Sequence, residues 1–92
     1  MILEREEKMI FIKLDSLETV NKLVGICESY KEKMDVDIVY GRFTLDGCSI
    51  LAVVSCMGNI VKIMPNTDDD LLLSYFIKDI EKIGGWVQKQ LT

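Results

Sequence analysis

Met9 to Leu14 reads MIFIKL, apolar at every position except Lys13, which predicts an opening strand with one position turned to water. Asp15 and Ser16 stop it, and Asp15 with Glu18 three residues on has the form of a capping box for a helix. Along that helix Val20, Leu23, Val24, Cys27 and Tyr30 recur at three- and four-residue steps, so one stripe faces a core while Asn21, Lys22, Glu28 and Lys31 face out. The segment VDIVYGRFTL, residues 36–45, sets β-branched and aromatic residues on both sides of Gly41, a residue that readily takes positive φ, and predicts a hairpin. NIVKIM, residues 59–64, reads as a further strand that Pro65 ends, because proline cannot donate to a ladder. The last large element opens at Thr67, a hydroxyl cap followed by Asp68, Asp69 and Asp70 at the positive end of a helix dipole. Its apolar face is Leu72, Leu73, Phe76, Ile77, Ile80 and Ile83, and Gly84 with Gly85 terminates it.

The stretch GCSILAVVSCMG, residues 47–58, fits two readings. Isoleucine and valine favour a strand, and a continuous apolar run is what a strand buried on both faces shows. A short helix capped by Ser49 suits the same residues. On either reading residues 9–84 form one domain, since a chain of 92 residues has too small a core to divide. Residues 1–8 are then an N-terminal extension, and residues 85–92 a C-terminal tail that stays loose unless Trp86 docks.

Composition narrows the function classes. At 49% hydrophobic and 28% charged the chain falls among globular proteins. A net charge of −4 with no basic stripe argues against nucleic acid and anionic membrane as partners. No apolar run reaches the roughly 18 to 20 residues that a membrane span needs, and MILEREEK lacks the apolar core of a secretory signal, so the expected place is the cytoplasm. Cys27, Cys48 and Cys56 form no CxxC, and without histidine a zinc site lacks its usual ligands; they read as buried reduced thiols. Asp68–Asp70 is a contiguous run without the spacing or glycine of a calcium loop. No metal, cofactor or enzymatic motif is therefore expected.

With a short helix at 49–55 the order becomes strand, helix, strand, strand, short helix, strand, long helix. In that order the chain resembles the HPr family, the small phosphocarriers of the bacterial sugar phosphotransferase system. The residues that carry the likeness are Asp37-Ile38-Val39 entering the hairpin at Gly41-Arg42, then Ser49-Ile50-Leu51-Ala52-Val53-Val54-Ser55, similar to the family's Lys-Ser-Ile-Met-Gly-Val-Met-Ser. Asp68-Asp69-Asp70 stands where the family has an acidic cluster. The likeness spans about Met9 to Ile83. It implies an α+β fold, an open-faced β-sandwich of four antiparallel strands with three helices on one face (βαββαβα).

What the resemblance lacks is the carrier chemistry. The family's phosphoryl-accepting histidine falls at Thr19 when counted from the first strand and at Val20 when counted back from Asp37. Its arginine and proline become Asn21 and Lys22 or their neighbours. A phosphohistidine passes its group on through a labile phosphoramidate bond, whereas an ester on Thr19 would be a poor donor, and no guanidinium fork is present to steady it. Thr19, Val20 and Asn21 thus read as a degenerate carrier site. Ser49 matches the serine that a dedicated kinase phosphorylates in the Gram-positive branch, although Cys48 replaces the lysine before it. A phosphate there would meet free amides at a helix start, and the bland alternative is a simple N-cap. Ile50, Leu51 and Val54 would lie on the exposed side of the short helix as a docking surface. The implied partners are proteins: phosphotransferase-system components, a serine kinase, or a second copy of the chain. The expectation is a non-enzymatic regulatory or binding module, against a carrier with an unusual acceptor near Thr19, or a plain homodimerising module.

Overall fold

The structure, a computed structural model, describes residues 6–91. Eight elements follow one another: β1 (Glu6–Lys13), α1 (Leu17–Tyr30), β2 (Asp35–Tyr40), β3 (Phe43–Asp46), α2 (Ile50–Val54), β4 (Ile60–Asn66), α3 (Asp70–Lys82) and β5 (Trp86–Leu91). The five strands form one antiparallel sheet in the order β3-β2-β4-β1-β5. The protein is therefore α+β, with five strands where four were expected.

Alternation decides which face holds the core. Ile10 and Ile12 of β1, Val36 and Ile38 of β2, and Val61 and Ile63 of β4 are all buried, while the residues between them turn to the other side. The buried set joins Val20, Leu23, Val24 and Cys27 of α1, Val53 of α2, and Phe76 and Ile80 of α3 in a single cluster. The three helices thus cover one face and leave the other bare. The helix layer is tied further by Tyr30, whose ring meets Phe76 edge-on at 5.2 Å and whose hydroxyl donates to Asp79 Oδ2 at 2.7 Å.

Four boundaries depart from the sequence expectation, each for a local reason. The cap of α1 is Ser16, whose hydroxyl accepts from the Thr19 amide at 3.2 Å; Asp15 accepts from the Thr19 hydroxyl instead, and Glu18 pairs with Lys22. Pro65 lies inside β4, paired with Val36. The register with β1 ends at Ile63 while that with β2 runs to Asn66, so only one neighbour is present where the N–H is missing. Asp69, not Thr67, caps α3, its carboxylate accepting from the Leu71 and Leu72 amides at 3.0 and 3.1 Å; Thr67 closes the turn before it.

The fourth departure is the largest. The segment taken for a tail is β5, which pairs with β1 from Glu6↔Leu91 to Phe11↔Trp86, so β1 begins at Glu6 rather than Met9. The supposed extension is part strand in consequence, and residues 1–5 of it lie outside the described residues. Gly85 makes this pairing possible: a Cβ there would run into Ile80 Cγ2 and sit 3.0 Å from the Phe11 carbonyl oxygen, closer than packing allows.

Candidate functional site

The stretch that admitted two readings is a short helix, and the loop before it is held by three contacts. The Gly47 amide donates to the Val36 carbonyl at 2.9 Å, pinning the end of the hairpin to β2. The Cys48 amide donates to Asp46 Oδ1 at 2.9 Å, and the Ser49 amide to the Asp46 carbonyl at 3.1 Å, which is an Asx-type turn. Ser49 then caps α2. Its hydroxyl accepts from the Ala52 amide at 3.4 Å, a long bond, and its carbonyl accepts from Val53 at 3.0 Å. Val53 is the one fully buried side chain of α2 and anchors it to the core.

Of the three residues expected on the exposed side of α2, two are there. Leu51 is 81% exposed and Ile50 is exposed beside it. Val54 is not: it is half-buried and packs against the core cluster, because a helix anchored by Val53 carries the neighbouring position inward. The exposed apolar position that sequence reasoning missed is Met57, in the turn that follows α2. The signal for it was Gly58, whose positive φ lets the chain reverse one residue later.

The electrostatics around Ser49 are acidic. The Cys48 thiol beside it is pushed up by burial first, then by Asp46 and Glu28, with Lys31 pulling the other way. A phosphate on Ser49 would enter that company with no arginine among the groups that act on Cys48. Deeper in, the Cys27 thiol is pushed up to about 12, by burial first and then by Cys48 and Asp46, so it stays protonated and unreactive.

The degenerate carrier positions are separated by the helix they sit on. Val20 is fully buried in the core, which removes it as an acceptor. Asn21 is exposed on the far side. Thr19 is half-buried at the start of α1, and its hydroxyl donates to Asp15 Oδ1 at 2.9 Å and lies 3.2 Å from Ser16 Oγ. A carboxylate therefore stands where a phosphoryl group on Thr19 would have to lie, and like charges repel. Although α1 packs against α2, no hydrogen bond described joins Thr19 to Ser49.

Elsewhere two shallow open grooves occur near the start of α3, one lined by Lys33, Asp69, Leu71, Leu72 and Tyr75, the other by residues 65–68. Among the described residues no cluster of histidine, cysteine or carboxylates could hold a metal ion, and no helix is long and apolar enough to cross a membrane. Compared with protein-family models and with curated proteins, the chain matches none.

Proposed function

We propose that the protein is a non-enzymatic, HPr-like binding module, working in the cytoplasm, that has lost phosphoryl carriage and docks a protein partner through the outer side of α2. The observation that carries this reading is Leu51, 81% exposed between Ile50 and the core-anchored Val53. Burying a leucine side chain removes about 1.5–3 kcal/mol of unfavourable hydration, so an apolar knob held rigidly in water by a pinned loop is a docking feature more than a folding one. The order of the first seven elements and the adjacency β3-β2-β4-β1 support the HPr-like scaffold. The absence of histidine and the Asp15 carboxylate on Thr19 support the loss of carriage.

Ser49 is then the natural place to regulate docking. It stands one residue before Ile50, so a phosphate added there would bring about −1.5 to −2 of charge to the rim of the apolar knob. Phosphotransferase-system proteins and a serine kinase are the partners this scaffold suggests.

A photo-crosslinking residue placed at position 51 or, as control, at position 21 tests the docking surface in host cells. Specific protein adducts from position 51 and none from position 21 are expected, and a position 51 as silent as position 21 overturns the reading. Incubation with HPr kinase and ATP, followed by mass mapping, tests Ser49 separately. Incubation with phosphoenolpyruvate and enzyme I tests the carrier alternative, and acid-labile phosphate near Thr19 would establish it.

A further inference from the structure

The sheet carries helices on one face only, and alternation along such strands normally turns polar residues to water on the other. Here large apolar side chains gather there instead. Met9 and Phe11 of β1, Ile60 and Met64 of β4 and Trp86 of β5 all lie on the bare face, the last three 53%, 41% and 40% exposed. Phe11 stands opposite Trp86, and their rings stack at 6.0 Å. A contiguous apolar patch of this kind marks a contact surface, whereas single exposed apolar residues do not.

One charge decides what can cover it. Lys62 stands within the patch, opposite Phe11 on one side and Val39 on the other, with Ile60 and Met64 two residues before and after it along β4. Lys13, opposite Ile60, lies one step away on the diagonal. Asp37, on the other diagonal, is opposite Met64, and its carboxylate accepts from Asn66 Nδ2 at 3.1 Å. Among the described residues neither lysine has an ion-pair partner; the pairs present are Lys22–Glu18 and Lys82–Asp79, on the helices. A wholly apolar cover would strand the Lys62 ammonium away from water, which is costly, whereas a cover that brings a carboxylate to it is not penalised in this way. A second copy centred on the same spot would bring another lysine.

The backbone decides the form of that cover. A segment laid on the face of a sheet meets no free ladder groups, so it must close its own hydrogen bonds, as a helix does. A helix about 10 Å across spans two strands about 4.8 Å apart, here β1 and β4. Residues four apart on a helix rise about 6 Å, close to the spacing of about 6.8 Å that separates Ile60, Lys62 and Met64 along β4. We propose that the bare face docks an amphipathic helix of another protein, one that carries a glutamate or aspartate inside its apolar stripe. The carboxylate pairs with Lys62, apolar residues one turn before and after it cover Ile60 and Met64, and Phe11 with Trp86 packs along one flank. A second carboxylate one turn toward Ile60 reaches Lys13. This surface lies across the sheet from α2, so it stands apart from docking at Leu51.

Trp86 is the only tryptophan and lies on this face, so its emission reports occupancy. The test titrates the protein with two synthetic helical peptides free of tryptophan, which share a leucine stripe and differ only in its central residue, glutamate in one and lysine in the other. Concentrations of roughly 10 μM to 1 mM suit so small a contact. The glutamate peptide is expected to shift Trp86 emission to the blue and to saturate, and the lysine peptide to bind at least about tenfold more weakly. Lys62→Glu reverses the preference, weakening the glutamate peptide by at least about tenfold and recovering the lysine peptide; this recovery also shows that the variant folds. Leu51→Glu leaves both titrations unchanged. A wild type that binds neither peptide, or both equally, overturns the proposal, as does a Lys62→Glu protein with the preference of wild type. Loss of binding on Leu51→Glu overturns it by moving the contact to α2. A blue shift on concentrating the protein alone gives the face to a second copy, and one on adding vesicles of phosphatidylcholine and phosphatidylserine gives it to lipid; either overturns the proposal too.

Discussion

Gly47→Ala probes how the loop before α2 is held. Its obstacle is space, since Gly47 is not among the residues of positive φ and alanine suffers no backbone strain there. A Cβ at this position lies 2.9 Å from Cys27 Sγ and 2.9 Å from the Val36 carbonyl oxygen, against about 3.5–4.0 Å for comfortable contact. Neither neighbour can withdraw: Cys27 is fully buried on α1, and the Val36 carbonyl is part of the sheet and already accepts from Gly47. Overpacking of this kind costs about 1–3 kcal/mol. Pushing the loop off β2 also sacrifices the Gly47–Val36 hydrogen bond, about 1 kcal/mol more. The expected loss is about 2–4 kcal/mol, or at least about 8 °C in Tm for a domain of this size. Urea unfolding followed by far-UV circular dichroism measures it, read from the midpoint at constant slope. Gly25→Ala is the control of opposite sign: it is exposed in the interior of α1 with nothing within 4 Å of its Cβ, so alanine there gains about 0.5–1 kcal/mol of helix propensity. A Gly47→Ala protein within about 0.5 kcal/mol of wild type would behave like a surface variant and would refute the packing that places Ser49.

Ser49→Ala removes a cap whose bond is long at 3.4 Å, so the same urea assay should register only about 0.5–1 kcal/mol, the low end for N-caps. Alkaline pH should unfold the protein through two groups. Cys27 rises from 9.0 to about 12 through burial, and Tyr30 from 10.0 to about 12 through burial, its hydrogen bond to Asp79 and that carboxylate's charge. Both folded-state values lie above the unfolded ones, so the stability they contribute is whole below about pH 9 and is lost as pH climbs toward about 12, by at most about 1.4 kcal/mol per unit for the buried thiol and less for the partly exposed phenol. Urea midpoints that stay flat from about pH 8 to about pH 11 would contradict the burial of Cys27. Trp86 is the only tryptophan, so its fluorescence reports β5 alone. Its transition should coincide with that of the far-UV signal, and an earlier one would mean that β5 peels away as a separate unit.

Long elements with an apolar stripe were readable from the sequence because their own side chains decide them. The inward stripe of α1, Val20, Leu23, Val24 and Cys27, is buried as its spacing requires, and the hairpin turns at Gly41 with φ +59°. α2 was ambiguous for a physical reason. ILAVV has strand propensity, and what makes it helical is a turn at Asp46, a glycine pressed against Cys27, and Ser49 taking the first free amide. Those are contacts made by residues outside the stretch, which no window centred on it contains. Val54 shows the same limit at finer grain. Which side of so short a helix faces water follows from where Val53 finds the core.

β5 is where tertiary context acted alone. WVQKQL has one inward position with an apolar side chain described, Val87, and otherwise alternates too weakly to announce a strand. It becomes one because β1 has a free edge, and the register lays Gln88 beside Met9 and Lys89 beside Lys8. Without that pairing the apolar run MIFIK would be the rim of the sheet, a template for uncontrolled strand addition. With it, the rim on that side is a strand whose central residues, Gln88, Lys89 and Gln90, are polar, and polar residues on edge strands are one way in which sheets resist such growth. The apolar surface that remains lies on the bare face, where Phe11 and Trp86 stack. The fifth strand thus covers the β1 edge, and its register carries Trp86 onto Phe11, so the same pairing that removes an apolar rim gathers aromatic surface on the bare face.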